Sequence, residues 1–101
     1  MPAVIRLGDM STGHGCFPPT NLVETHVQKT FVNKIKPGCI TGGGSKYVTH
    51  CCGPTCHPTS NRFPSSGAAK TYIEGILAAR IGDPIACGDA CAEGSYNTFI
   101  E

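Results

Sequence analysis

The chain has 101 residues, a formal net charge of +1, 40% hydrophobic and only 15% charged residues. Near neutrality excludes the basic face that a nucleic-acid binder needs, and no apolar run approaches the roughly 20 residues of a membrane-spanning helix. The length is that of a single domain, read here as residues 1–101 with no further domain expected.

The hydrophobic fraction overstates the core. Seven of these residues are cysteine and eight are alanine; Val, Ile, Leu, Met, Phe and Tyr supply 25, and tryptophan is absent. Burying a large apolar side chain contributes roughly 1.5–3 kcal/mol, whereas ordering each residue costs roughly 1.5 kcal/mol. A core this thin needs a staple. A structural zinc, worth about 10–16 kcal/mol in small peptides, competes for that role with disulfides. The first nine residues reach Asp9 without a hydrophobic run, unlike a signal peptide. Synthesis is therefore expected in the reducing cytoplasm, where Cys and His clusters bind metal more often than they form disulfides. The odd cysteine count and the adjacent Cys51-Cys52 pair point the same way.

Thirteen glycines and eight prolines are spread along the whole chain, which predicts short strands joined by turns. Arg6-Leu7-Gly8-Asp9 opens the chain and returns as Arg80-Ile81-Gly82-Asp83. Next comes Thr20–Lys36, free of Gly and Pro. Val23, Val27, Phe31 and Ile35 suit a helix face, but β-branched content favours strand. Lys29-Thr30-Phe31-Val32-Asn33 recurs as Lys70-Thr71-Tyr72-Ile73-Glu74 and as Asn97-Thr98-Phe99-Ile100-Glu101. Each copy predicts a short strand with aromatic and β-branched residues on opposite faces.

Arg80 lies eight residues after Tyr72, and Cys39 lies eight after Phe31, so Cys39-Ile40-Thr41-Gly42 is a worn copy of Arg-Ile-Gly-Asp. A short helix is expected near Leu77–Arg80. The chain thus reads as three degenerate units of strand, Gly-Asp turn, variable loop and Thr-aromatic strand, each holding an equivalent place about an axis.

Histidine and cysteine gather in three glycine-punctuated segments: Gly13-His14-Gly15-Cys16, His50 to His57, and Asp83 to Cys91. A closed structural zinc site takes four such ligands in a tetrahedron. His14 stands between glycines that let the backbone turn sharply. His50 and His57 bracket the Gly53-Pro54 turn, which can fold both rings towards one point. Cys87, beside Gly88, is placed in the third unit much as His14 is in the first. Cys51, Cys52, Cys56 and Cys91 are alternative ligands, although cysteines outside a site more often serve as small buried hydrophobes. His26, among polar neighbours, is expected on the surface. Gly42-Gly43-Gly44-Ser45-Lys46 has the wrong order for a phosphate loop, Cys16 has no nucleophile elbow around it, and no paired carboxylates stand out. The residues carry no sign of catalysis.

Leu77-Ala78-Ala79-Arg80 with Ile81-Gly82-Asp83-Pro84 resembles the Pro-Ala-Ala-Arg motif of PAAR-repeat proteins, with Leu77 in place of the proline. Ile5-Arg6-Leu7-Gly8-Asp9, Gly13 to Pro19, and His50-Cys51-Cys52-Gly53 with Cys56-His57 are similar to that family's other segments. The middle copy, Pro37-Gly38-Cys39, lacks Ala-Ala-Arg. The resemblance implies a mainly β, cone-shaped domain of short strands, stapled by a metal near its apex through three histidines and one cysteine. Carried onto this chain, those ligands are His14, His50, His57 and Cys87, holding one Zn2+, or iron, since imidazole suits several metals.

It further implies a non-enzymatic tip that caps a trimeric spike (VgrG-like or the central spike of a contractile phage tail), one tip per trimer. Such a tip sharpens the spike for transient membrane piercing, with no stable membrane anchor. It is assembled on a type VI secretion machine or virion tail and delivered outward. Phe31, Tyr72 and Phe99, equivalent in the three units, are the expected partner-binding residues. The competing expectation is a small zinc- or disulfide-stapled binding module with no injection role.

Overall fold

The structure, a computed structural model, describes residues 2–40 and 45–101. Regular structure is sparse. The strands are β1 (Leu22–Glu24), β2 (Lys46–Tyr47), β3 (His50–Cys52), β4 (Thr55–His57), β5 (Tyr72–Ile73) and β6 (Ile76–Leu77), with one 3-10 turn at Thr59–Asn61. They pair antiparallel as β1–β2, β3–β4 and β5–β6. Isolated bridges elsewhere join segments far apart in sequence, and these organise the molecule.

The three units form a closed ring. Arg6 pairs with Pro37, Cys39 with Ala78, and Arg80 with Val4, so each unit's ladder ends on the next. The backbone N–H of Gly38 donates to the Ile5 carbonyl (2.9 Å), that of Ala79 to Gly38 (3.1 Å), and that of Ile5 to Ala79 (3.1 Å). An outer set repeats the pattern: Leu7 to Lys36, Ile40 to Leu77 and Ile81 to Ala3, at 2.9, 3.0 and 2.9 Å. Ring closure satisfies backbone groups that would otherwise form open sheet edges. It also explains why no helix forms over Leu77–Arg80, contrary to expectation. The N–H of Ala79 and the carbonyls of Leu77 and Ala79 are committed to neighbouring units.

The repeated Arg-x-Gly-Asp phrase is a turn. Asp9 and Asp83 donate their N–H to the carbonyls of Arg6 and Arg80, with Gly8 and Gly82 at φ of 90° and 93°. A turn of this type requires glycine there. Asp9 and Asp83 then accept from Arg6 and Arg80 in ion pairs of 2.9 and 2.8 Å. In the worn middle copy the Ser45 hydroxyl replaces the carboxylate, accepting the Cys39 N–H at 2.9 Å. Thr41 and Gly42 of that copy lie outside the described residues.

A second ring follows. Ser11, Tyr47 and Ile85 bridge to Cys91, Leu22 and Pro64 of neighbouring units. Thr12, Val48 and Ala86 donate to the carbonyls of Ala90, Asn21 and Phe63. Between the rings lies the small core of Ile5, Leu22, Tyr47, Ala79, Ile85 and Cys91.

At one end of this stack, Val32 pairs with Ile35 across Asn33-Lys34, and Ile73 with Ile76 across Glu74-Gly75. The third equivalent is made by the two chain ends, Ile100 donating to the Pro2 carbonyl at 2.9 Å. Phe31, Tyr72 and Phe99 stand at matching positions here, each more than half exposed. Glu74 accepts from the N–H groups of Lys29, Gln28 and Thr30, at 2.9 to 3.1 Å, and Glu101 accepts from the Thr71 hydroxyl and the Lys70 N–H. These bonds hold both carboxyls below their usual range, chiefly through Lys29 N–H for Glu74 and the Thr71 hydroxyl for Glu101.

The stretch Thr20–Lys36 contains no helix; its regular strand is confined to β1. His26, expected on the surface, is half-buried instead, with Nε2 at 3.0 Å from the Ile73 carbonyl. The loop it belongs to is folded against the β5–β6 hairpin by the Glu74 contacts, which carries the ring inward.

On the axis, Ile5, Gly38 and Ala79 hold equivalent places but differ in size. A Cβ on Gly38 would lie 2.7 Å from Leu22 Cδ2 and 2.8 Å from Ile5 Cδ1. Gly38→Ala is expected to destabilise the fold by about 1–3 kcal/mol through overpacking. The double variant with Ile5→Ala should lose less than the sum of the two single losses, because the smaller side chain makes room for the new methyl. Urea denaturation of the two single variants and the double variant measures this.

Candidate metal centre

The far end of the stack carries the His/Cys segments. His14 sits in a tight turn in which its N–H and carbonyl both bond Phe17, at 3.1 and 2.8 Å. His50 opens β3 and His57 closes β4, directly opposite in the antiparallel register. Gly53-Pro54 forms the link, as expected, so both imidazoles leave the same face. Cys87 lies in a turn closed by Gly88 N–H to the Ile85 carbonyl, at 2.9 Å. Each of the three units therefore sends one loop to a common point, and the middle unit sends two ligands.

Ligand atoms of His14, His50, His57 and Cys87 all lie within 4.8 Å of one another, with His50 buried and the others half-buried. His50 Nε2 is 3.0 Å from His57 Nδ1 and 3.6 Å from Cys87 Sγ, which is 4.0 Å from His14 Nε2. A tetrahedral zinc with ordinary bond lengths needs about 3.3 Å between nitrogens and about 3.6 Å from nitrogen to sulfur. The three pairs given lie within a few tenths of an ångström of those separations, and the widest pairs, up to 4.8 Å, would draw in by roughly 1 Å around an ion. His50 Nδ1 is 3.0 Å from the Pro18 carbonyl. That contact places the proton on Nδ1 and leaves Nε2 bare, the arrangement that orients a metal-binding histidine. The cluster can hold a metal ion.

Burial lowers the His50 pKa and raises that of Cys87. His50 is thus kept neutral for ligation, whereas Cys87 must lose its proton on binding metal. The Phe17 ring stacks on His57 at a 4.0 Å centroid distance and lies 4.8 Å from both His14 and His50. It walls the site with an apolar surface.

The other cysteines depart from expectation. Cys16 pairs with Cys52 at a Cα separation of 5.3 Å, in the usual disulfide range, and Cys51 with Cys56, its direct cross-strand neighbour, at 4.0 Å. They are mostly exposed rather than buried hydrophobes, and they are not available as substitute ligands. Cys39 and Cys91 are buried free thiols, raised by burial to about 12. Cys91, also weighed as a ligand, belongs to the core. The awkward neighbours Cys51 and Cys52 are explained by strand alternation: successive side chains leave opposite faces, so one bonds across the hairpin and the other reaches the His14 loop. A cluster that can hold a metal and two disulfide pairs thus coexist in this fold.

Two residues under the cluster escaped the sequence reading. Arg62 and Asp89 form an ion pair of 3.1 Å with both side chains fully buried. One signal was present: Arg62 is the only charged residue between Lys46 and Lys70. No protein-family model and no curated protein matches the chain.

Peptide mapping under non-reducing conditions should recover Cys16–Cys52 and Cys51–Cys56, leaving Cys39, Cys87 and Cys91 alkylatable after denaturation. By loop closure the longer bridge stabilises by about 4 kcal/mol and the hairpin bridge by about 2 kcal/mol. Replacing His14, His50, His57 or Cys87 by Ala should lower metal affinity by orders of magnitude and abolish stabilisation by added metal. Affinity should also rise with pH while Cys87 remains to be deprotonated, which chelator competition between pH 6 and 8 would read. Cys91→Ala should leave metal affinity unchanged and cost only packing.

Proposed function

We propose that this chain is a non-enzymatic spike tip: it caps a trimeric β-helical spike of a contractile injection machine, with one zinc organising its sharp end. The observation that carries this reading is the pseudo-threefold ring with three equivalent exposed aromatics at one end and the His/Cys cluster at the other. A single chain that must sit on a threefold axis needs three similar, non-identical surfaces, and Phe31, Tyr72 and Phe99 are such a set. The resemblance of Arg6–Asp9, His50–His57 and Ala78–Pro84 to PAAR-repeat proteins supports the same assignment. In this role three histidines and one cysteine favour zinc, and the metal supplies the cross-link that the thin core lacks. No chemistry on a substrate is required of it.

Mixing the chain with the spike protein encoded beside it and measuring mass by light scattering tests this. The expected complex has one tip per spike trimer, burying roughly 1,000 Å² or more. Charged replacements at Phe31, Tyr72 and Phe99 together should abolish the complex without lowering the melting temperature. Metal analysis should find one zinc per chain. A three-to-three complex, or no complex with an intact zinc site, would leave the small stapled binding module, which the two disulfides also suit.

A further inference from the structure

Of the eight lysines and arginines, Arg62 alone is buried, and it is buried completely. Its place follows from the pseudo-threefold ring. Ser11, Tyr47 and Ile85 donate their N–H groups to the carbonyls of Thr20, Arg62 and Asp89, at 2.8, 2.7 and 2.7 Å. Thr20, Arg62 and Asp89 are therefore equivalent positions of the three units, and their side chains meet on the axis below the cluster. Arg62 Nε donates to the Val48 carbonyl at 2.9 Å. Nη2 donates to Ser11 Oγ at 3.1 Å and to Thr20 Oγ1. Nη1 donates to both Asp89 oxygens at 3.1 Å. The guanidinium also lies over the Tyr47 ring, 5.7 Å from its centroid. One planar fork thus bonds all three units.

Nη1 has two further neighbours: His50 Nε2 at 3.3 Å and Cys87 Sγ at 3.4 Å. These are two of the four atoms that would bind the metal. Asp89 closes the circle by accepting from the Gly13 N–H at 3.2 Å, next to His14, and by lying 3.4 Å from Cys87 Sγ. An uncompensated buried cation would be costly; Asp89 neutralises it, so the pair adds direction without net charge.

We propose that Arg62 is the positioning residue of the metal centre, a resident cation that holds the ligands converged before the ion arrives. With no ion bound, the two N–H bonds of Nη1 are shared, as three-centre bonds, between the Asp89 carboxylate and the lone pairs of His50 and Cys87. On binding, His50 has a single lone pair on Nε2 and exchanges Arg62 for the metal. The Cys87 thiolate has lone pairs to spare and keeps its charge-assisted N–H···S bond. The site is consequently preformed, and the chain need not unfold when the ion leaves. This rests on the reading that the cluster binds a metal.

The test uses the full chain as wild type, Arg62→Met and Arg62→Lys, stripped with chelator and titrated with Zn2+ or Co2+ alone. Stripped wild type should melt cooperatively and stripped Arg62→Met should not, with Zn2+ restoring cooperative melting. Removing such an outer-shell partner typically weakens metal binding 10–100-fold, and that loss is expected for Arg62→Met. Arg62→Lys, a single-point cation, should fall between. Loss of the N–H···S bond should also shift the sulfur-to-Co2+ charge-transfer band, which a purely structural role would not move.

Zn2+ affinity of Arg62→Met within twofold of wild type, or an unfolded stripped wild type, would overturn the proposal while leaving the metal site intact. A wild type that binds neither ion would overturn the metal reading and this one with it. Should Arg62→Met stay unfolded even with Zn2+, Arg62→Lys decides: affinity down fivefold or more supports the assignment, and unchanged affinity rejects it.

Discussion

The structure depends on the closed cycle of backbone hydrogen bonds among Ile5, Gly38 and Ala79. Three short segments, none able to bury a face alone, satisfy one another's N–H and carbonyl groups about a common axis. A cycle of this kind replaces the extended sheet that the chain is too glycine- and proline-rich to build. It also brings backbones close together on the axis, so the side chains there share one small volume. Ile5 fills it, Gly38 vacates it and Ala79 takes little, which shows why the units diverged in sequence while keeping their backbone equivalence. The same crowding keeps the central cluster small, with Tyr47 its one buried aromatic among the described residues, and hands much of the remaining stabilisation to polar and covalent links.

Divergence of the units is where function could enter. At the turn position two units retain an Arg–Asp pair and the middle one substitutes Cys39 with Ser45, trading charge for a buried hydroxyl contact. One layer further, Thr20, Arg62 and Asp89 have become three different chemistries that fit together only because the axis brings them into contact. A strict repeat would place three like residues there, and three arginines or three aspartates could not be buried together. Degeneracy is thus a condition for a polar axis, as it is for a mixed His/Cys cluster above it.

Much of this was legible in the chain. The recurring Thr-aromatic and Arg-x-Gly-Asp phrases marked the units, because a turn with a left-handed residue demands glycine at a fixed place. The three histidines were readable because glycine flanks and a hairpin turn leave few ways to orient them, whereas the choice of Cys87 among the cysteines leaned on the resemblance to PAAR-repeat proteins. Legibility ended where the determinant was contact between units. The Leu77–Arg80 helix was a fair expectation from Ala-Ala-Arg composition, but its backbone groups are taken by other units. His26 was misplaced because its loop is pinned by Glu74, 48 residues away in sequence, and no local pattern encodes that. Arg62 stood out only as an isolated charge, and its role depends on which residues the ring places opposite it.

The cysteines carry the lesson further. Treating zinc and disulfides as alternatives assumed that a chain chooses one staple according to its compartment. Here Cys16–Cys52 ties the His14 loop to β3, and Cys51–Cys56 ties β3 to β4. The bridges flank three of the four clustered side chains and reach neither Cys87 nor its loop. Covalent links therefore restrain the histidines relative to one another, and the third unit is joined to them at this end by Arg62, Asp89 and the metal-binding thiol. Restraining the three histidines lowers the ordering cost that an ion would have to offset on binding, so disulfides would strengthen the hold of the cluster on a metal. A domain with so little interior gains most from cross-links of different chemistry placed at the same point, since losing one leaves the others to hold the loops together.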